Sequence, residues 1–138
     1  HPNPSTMSFI GQITDSKYNL FIGNLVAAKD ANLLKTHNIG FIINVSEIQY
    51  ETKIPTLMIP ASGDNYKNII QKIAEMLETT NVLVHCEVCQ IRAPTIAILW
   101  LKSKCGMDTK SAHEAVLKVR PETTMTKFML MMLGNMQF

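Results

Sequence analysis

Val82-Leu83-Val84-His85-Cys86-Glu87-Val88-Cys89-Gln90-Ile91-Arg92-Ala93-Pro94-Thr95-Ile96 is the stretch that decides how this chain folds. A short apolar run ends at His85, as a buried strand would. From Ala93 to Lys104 the chain is almost wholly apolar, with Ile96, Ile98, Leu99, Trp100 and Leu101, and predicts a central helix. In an open α/β sheet, ligands bind where strands end and helices begin. The first N–H groups of a helix are unpaired and carry about half a positive charge, which favours phosphate and also favours thiolate over thiol. Pro94 suits such a start, because its missing N–H would have had no partner. A cysteine at the position of Cys86 can have its pKa lowered from about 8.5 into the range ~3.5–7.5, which supplies a nucleophile at neutral pH. Arg92, six residues on, can bridge two phosphate oxygens with its fork of donors, as a lysine could not. A cysteine and an arginine five residues apart are a weak pattern alone. Between a strand and a helix, and after His85, they become specific.

Outward from this stretch, strands and helices alternate. Leu20-Phe21-Ile22 predicts a strand, Gly23-Asn24 a turn and Leu25-Val26 a returning strand, followed by a short helix over Lys29 to Thr36. Phe41-Ile42-Ile43-Asn44-Val45 reads as a strand covered on both faces, and Thr56 to Ile59 as another, closed by Pro60. Ile69, Ile70, Ile73, Ala74, Met76 and Leu77 recur at helical spacing between Asn68 and Thr79. Two further helices are expected over Thr109 to Val119, capped by Asp108 or Thr109, and over Thr126 to Met136. The fold class is therefore α/β, a central, mainly parallel sheet flanked by helices.

With 138 residues, 46% of them hydrophobic and 17% charged, the chain suits one domain with a substantial core. His1–Thr6 reads as a remnant ahead of Met7, leaving 7–138 as a single domain. A formal charge of +2 with scattered Lys and Arg points to neither nucleic acid nor a membrane surface as partner. Cys86, Cys89 and Cys105 are odd in number, which fits a reducing, cytoplasmic setting. No cofactor and no metal site are expected. The Met-rich end, Phe128-Met129-Leu130-Met131-Met132-Leu133 with Met136, reads first as core packing and second as a homodimer face. His37 and His113 read as surface or helix-end residues and Trp100 as core.

The order Leu20-Phe21-Ile22-Gly23-Asn24, Ile43-Asn44-Val45-Ser46, Val82-Leu83-Val84-His85-Cys86, Arg92 and Val119-Arg120-Pro121 resembles the landmarks of the dual-specificity phosphatases, a branch of the cysteine-based protein tyrosine phosphatase superfamily, in its compact single-domain form. The likeness runs from about Ile13 onward. It implies metal-free hydrolysis of phosphoproteins, of phosphotyrosine and also phosphoserine and phosphothreonine. Cys86 would attack phosphorus, and Arg92 with the backbone of Glu87, Val88, Cys89, Gln90 and Ile91 would hold the phosphate. His85 would support Cys86 from behind, and Asp64 would protonate the leaving group.

Three positions depart from the family pattern. Cys89 stands where glycine is usual. Ala93 replaces the hydroxyl residue that helps the nucleophile leave as thiolate. Gly63 takes the usual place of the acid, with Asp64 one position late. Together they imply reduced activity, or a catalytically impaired module that binds phosphorylated partners. RNA 5′ ends or phosphoinositides would call for basic residues in the loop, and none lies between Cys86 and Arg92. The C-x-x-C spacing of Cys86 and Cys89 also admits a thioredoxin-like role or a protective disulfide.

Overall fold

The computed structural model describes residues 7–138, so the remnant read at His1–Thr6 lies outside the described residues. Along the chain come β1 (Ile10–Gln12), β2 (Leu20–Gly23), α1 (Leu25–Ala28), α2 (Ala31–Thr36), β3 (Ile39–Asn44), β4 (Thr56–Met58), α3 (Asn65–Met76), β5 (Asn81–His85), α4 (Arg92–Cys105), α5 (Thr109–Val119) and α6 (Lys127–Gly134). The sheet order is β1-β2-β5-β3-β4, with β1 antiparallel to β2 and every other pairing parallel. The α/β architecture with a mainly parallel sheet is thus the one its apolar runs predict.

Successive side chains of a strand point to opposite faces, and this period divides the core in two. Leu20, Ile22, Phe41, Ile43, Val82 and Val84 face α3 and α4, where Ile69, Ile70, Ile73 and Ile96 to Leu101 meet them. Phe21, Ile42 and Leu83 face the other way and pack with Ala28, Leu34, Tyr50 and Ile54. Each fully buried aliphatic side chain stabilises the fold by about 1.5–3 kcal/mol. Helix α4 is buried continuously from Ala93 to Leu101, Trp100 included, and ends at Gly106, whose left-handed φ of +69° closes it.

Two local expectations are corrected. Leu25 and Val26 do not form a returning strand. Asn24 caps α1 by accepting from the Ala27 N–H at 3.0 Å, and this side-chain bond turns the chain into a helix where a second strand would need ladder partners. The antiparallel neighbour of β2 is instead β1, a short strand whose half-exposed residues give no clear apolar pattern. At the other end of the chain, core packing of the Met-rich segment holds for Leu133, while Phe128, Met131 and Met132 are exposed.

Candidate active site

The parallel register sets His85 beside both Gly23 of β2 and Asn44 of β3, so three strands end at one level. Two neighbours fix the loop that follows. The Val45 N–H donates to the His85 carbonyl at 2.9 Å, and the Leu25 N–H donates to the Glu87 carbonyl at 2.9 Å. Cys86, Glu87, Val88, Cys89, Gln90, Ile91 and Arg92 therefore lie together at the carboxyl edge of the central strand, with α4 starting at Arg92.

Cys86 is 1% exposed, and the backbone N–H of Cys89 donates to its Sγ at 3.2 Å. The Cys89 thiol supplies the strongest influence on its acidity by hydrogen bonding. The Ala93 and Cys89 amides and the Arg92 charge add to this, and against the opposing effect of burial the Cys86 thiol is lowered from 9.0 to about 6. The converse holds for Cys89. Its bond to Cys86 and its burial push that thiol up, so at neutral pH the pair is a thiolate beside a thiol. Cys89 adopts φ +59°, a left-handed conformation that costs a side-chain-bearing residue energy and that glycine takes freely. The loop thus keeps a glycine-type bend with cysteine in place. Ala93 is fully buried and has no hydroxyl to offer.

The loop is braced from behind. Arg120, 5% exposed, donates from Nε to the Cys89 carbonyl at 3.0 Å and from an Nη to the Val88 carbonyl at 2.9 Å. Its guanidinium also lies 4.3 Å from the centre of the Phe9 ring. The Thr124 N–H donates to the Gln90 carbonyl at 2.7 Å. Three carbonyls of the loop, those of Val88, Cys89 and Gln90, are thus held by donors from the segment that follows α5.

His85 directly precedes Cys86, and its tautomer follows from its partners. Nδ1 lies 3.0 Å from the Cys86 carbonyl, which can only accept, so Nδ1 carries the proton. Burial holds the imidazole pKa below its ordinary value and keeps the ring neutral, so Nε2 accepts from the Tyr50 hydroxyl at 2.8 Å. Burial also pushes the Tyr50 hydroxyl up to about 12, which keeps it a donor.

At the open side, Arg92 donates from Nη1 to Glu47 Oε2 at 2.8 Å. Glu47 is brought there by a tight polar turn. Asn44 Oδ1 accepts from both the N–H and the hydroxyl of Ser46, at 2.9 and 2.7 Å, and its Nδ2 donates to the Ile48 carbonyl at 2.8 Å. The hydrogen bond from Arg92 holds the Glu47 carboxyl below its usual range.

Asp64 lies outside this hydrogen-bonded group. It is exposed at the start of α3, makes no capping bond with its side chain and, among the described residues, no hydrogen bond or ion pair to the loop. Gly63 before it has φ +52° and open space around its Cα. Three residues of the site escape sequence reasoning. Glu47 and Tyr50 carry no local signal, since only the fold brings them to Arg92 and His85. Arg120 is visible as a landmark without its bracing role. Among the described residues, no three His, Cys, Asp or Glu side chains are placed to hold a metal ion, and no helix is long and apolar enough to cross a membrane.

No protein-family model matches the chain. It is 28% identical over 134 residues to mouse dual specificity protein phosphatase 18, covering 87% of this chain and 68% of that protein. It is 25% identical over 122 residues to dual specificity protein phosphatase 1 of Arabidopsis thaliana, covering 74% of this chain and 57% of that protein. The chain thus spans little more than half the length of the plant relative. Among solved structures it is similar to the human tyrosine phosphatase-like serine/threonine/tyrosine-interacting protein, with a TM-score of 0.78 at 18% identity over 90% of this chain and 92% of the other. It is also similar to human DUSP28, with a TM-score of 0.73 at 19% identity over 97% of this chain and 95% of the other.

Proposed function

On the premise that this chain is a compact domain of the dual-specificity phosphatase type, we propose that it hydrolyses phosphotyrosine in proteins, with phosphoserine and phosphothreonine as further substrates, through a phosphocysteine intermediate. The observation that carries this reading is the environment of Cys86, a sulfur lowered to about 6 at the mouth of α4 with Arg92 beside it. The thiolate attacks phosphorus in line with the leaving phenolate oxygen. Arg92 and the N–H groups of Glu87 to Ile91 hold the other three oxygens as charge moves onto them. Asp64 supplies the proton to the leaving oxygen. Water then displaces the sulfur from phosphorus. Ala93 offers no hydroxyl to the departing thiolate, so this second step limits turnover. Three free cysteines, two of them buried beside each other, suit a reducing cytoplasmic setting.

The test is turnover of a small aryl phosphate and a phosphotyrosine peptide under reducing conditions by the native chain, Cys86→Ser and Asp64→Asn. Turnover abolished in Cys86→Ser and slowed in Asp64→Asn supports the assignment. A native chain that turns over neither substrate, yet binds the phosphopeptide in an Arg92-dependent way, replaces it with a phosphate-recognition module.

A further inference from the structure

The second face of the sheet carries a lighter cover than the first. Two short helices, α1 and α2, and the loop from β3 to β4 lie against it. Between them runs an open groove of about 1220 Å³. Small-molecule pockets usually hold about 300–1,000 Å³, so a groove of this size suits a segment of polypeptide better than a metabolite. Its apolar floor is made by the buried Ala28, Leu34 and Ile39 with the half-buried Ile54.

Three cations stand along the groove. Lys29 follows α1, Lys35 lies in the last turn of α2 and Lys53 lies on the loop, all of them exposed. Among the described residues, none of the three forms an ion pair. One carboxylate, that of Glu51, lines the same groove. Asp30 lies between the two helices in the chain, but its side chain caps α2 by accepting from the Leu33 N–H at 3.1 Å. An apolar floor with a net positive rim is the complement of an anionic segment that bears aliphatic side chains. Tyr50 joins the groove to the site. It lines the groove and donates to His85, and Glu47, three residues earlier, accepts from Arg92. Three residues span at most about 11 Å, so one extended chain can reach from the groove to the guanidinium.

We propose that this groove docks an acidic segment of a partner protein, with glutamate or aspartate side chains on Lys29, Lys35 and Lys53 and an aliphatic side chain over Leu34 and Ile39. An ammonium is a point charge with rotatable donors, which suits carboxylates presented singly along a chain. A nucleic acid would need a longer run of cations and exposed rings for its bases, and the Glu51 carboxylate would repel its phosphates. That the docked partner is a substrate rests on the phosphatase reading, whereas the docking does not. A phosphotyrosine chain held at both places makes its second contact intramolecular, which lowers KM with little change in kcat.

The experiment uses the full chain and a short unphosphorylated peptide, labelled with fluorescein, in which glutamates flank a pair of leucines. Binding is read by fluorescence anisotropy. Lys29→Gln, Lys35→Gln and Lys53→Gln together should weaken it about tenfold. The same charge removed from α4 and α5 on the opposite face, as Lys104→Gln, Lys110→Gln and Lys118→Gln, should leave it unchanged. All of these lysines are exposed, so both variants keep the fold. Serine in place of the leucines should weaken binding too, and inorganic phosphate should not displace the peptide. A phosphotyrosine peptide extended by the acidic segment should show a lower KM than one extended by glutamine and leucine, and the difference should vanish in the groove variant. The proposal is overturned if the peptide does not bind, if both lysine variants weaken it alike, or if inorganic phosphate or vesicles of phosphatidylserine displace it. If the peptide binds through the groove lysines in a chain with no turnover, the docking site stands and the phosphatase reading fails.

Discussion

Arg120 donates through Nε to the carbonyl oxygen of Cys89 at 3.0 Å, joining the end of α5 to the tightest bend of the loop. The guanidinium is buried, so its bonds to Cys89 and Val88 are shielded from competing water. Arg120→Ala leaves two loop carbonyls without donors and a gap beside Phe9. The expected loss of unfolding free energy is about 3 kcal/mol in urea denaturation. Arg120→Lys should recover only part, because one ammonium cannot reproduce the paired geometry of the guanidinium.

Tyr50→Phe keeps the ring and removes the hydroxyl that donates to His85 Nε2. That buried nitrogen then has no donor, at a cost of about 1–2 kcal/mol. Freed of Tyr50, the imidazole can turn and weaken its bond to the Cys86 carbonyl. Turnover should fall modestly, while a Tyr50→Ala chain should lose more of both stability and rate because Tyr50 also packs on the second face of the sheet.

The acid limb of activity should follow the Cys86 thiolate, with half-loss near pH 6. In Cys89→Ala the strongest influence lowering that value is gone, so the limb should move to higher pH, as read from the pH dependence of alkylation by iodoacetamide. Stability carries the same sign. The folded value lies below the ordinary 9.0, so Cys86 contributes stability that is fully present above pH 9 and is lost as pH falls through about 6. The difference in unfolding free energy between the native chain and Cys86→Ser should therefore grow from pH 6 to pH 9 under reducing conditions.

Glu47 occupies one face of the Arg92 fork through Nη1 and leaves its other donors for phosphate. With Glu47→Gln the guanidinium loses its charged anchor and samples more rotamers. KM for an aryl phosphate should rise roughly threefold to tenfold, with the alkylation pH profile of Cys86 little altered. A KM unchanged within error would show that Arg92 is held by its own packing.

The central sheet and the strand-loop-helix passage from β5 to α4 were legible because the apolar runs at β3 and β5 and the long apolar helix α4 carry their burial in composition alone. What escaped depended on long-range geometry. The return after Gly23 reads as a strand from Leu25 and Val26, since nothing local reveals that Asn24 will cap a helix or that Leu25 will donate to Glu87. The short β1 is paired through backbone, which sequence patterns do not record. Cys89 reads as a departure from glycine at a close approach to phosphate, and the positive φ shows that the bend survives the substitution. Asp64 suits the acid by residue type, and it is exposed at the head of α3 with no hydrogen bond to the loop among the described residues.

The chain has one tryptophan, and Trp100 is buried on α4 eight residues beyond Arg92, about 12 Å along the helix. Its emission is therefore an unlabelled optical gauge for the helix that carries the loop. A shift in wavelength on adding phosphate, arsenate or peroxide would register motion of α4 in real time, free of any second indole whose signal would have to be subtracted.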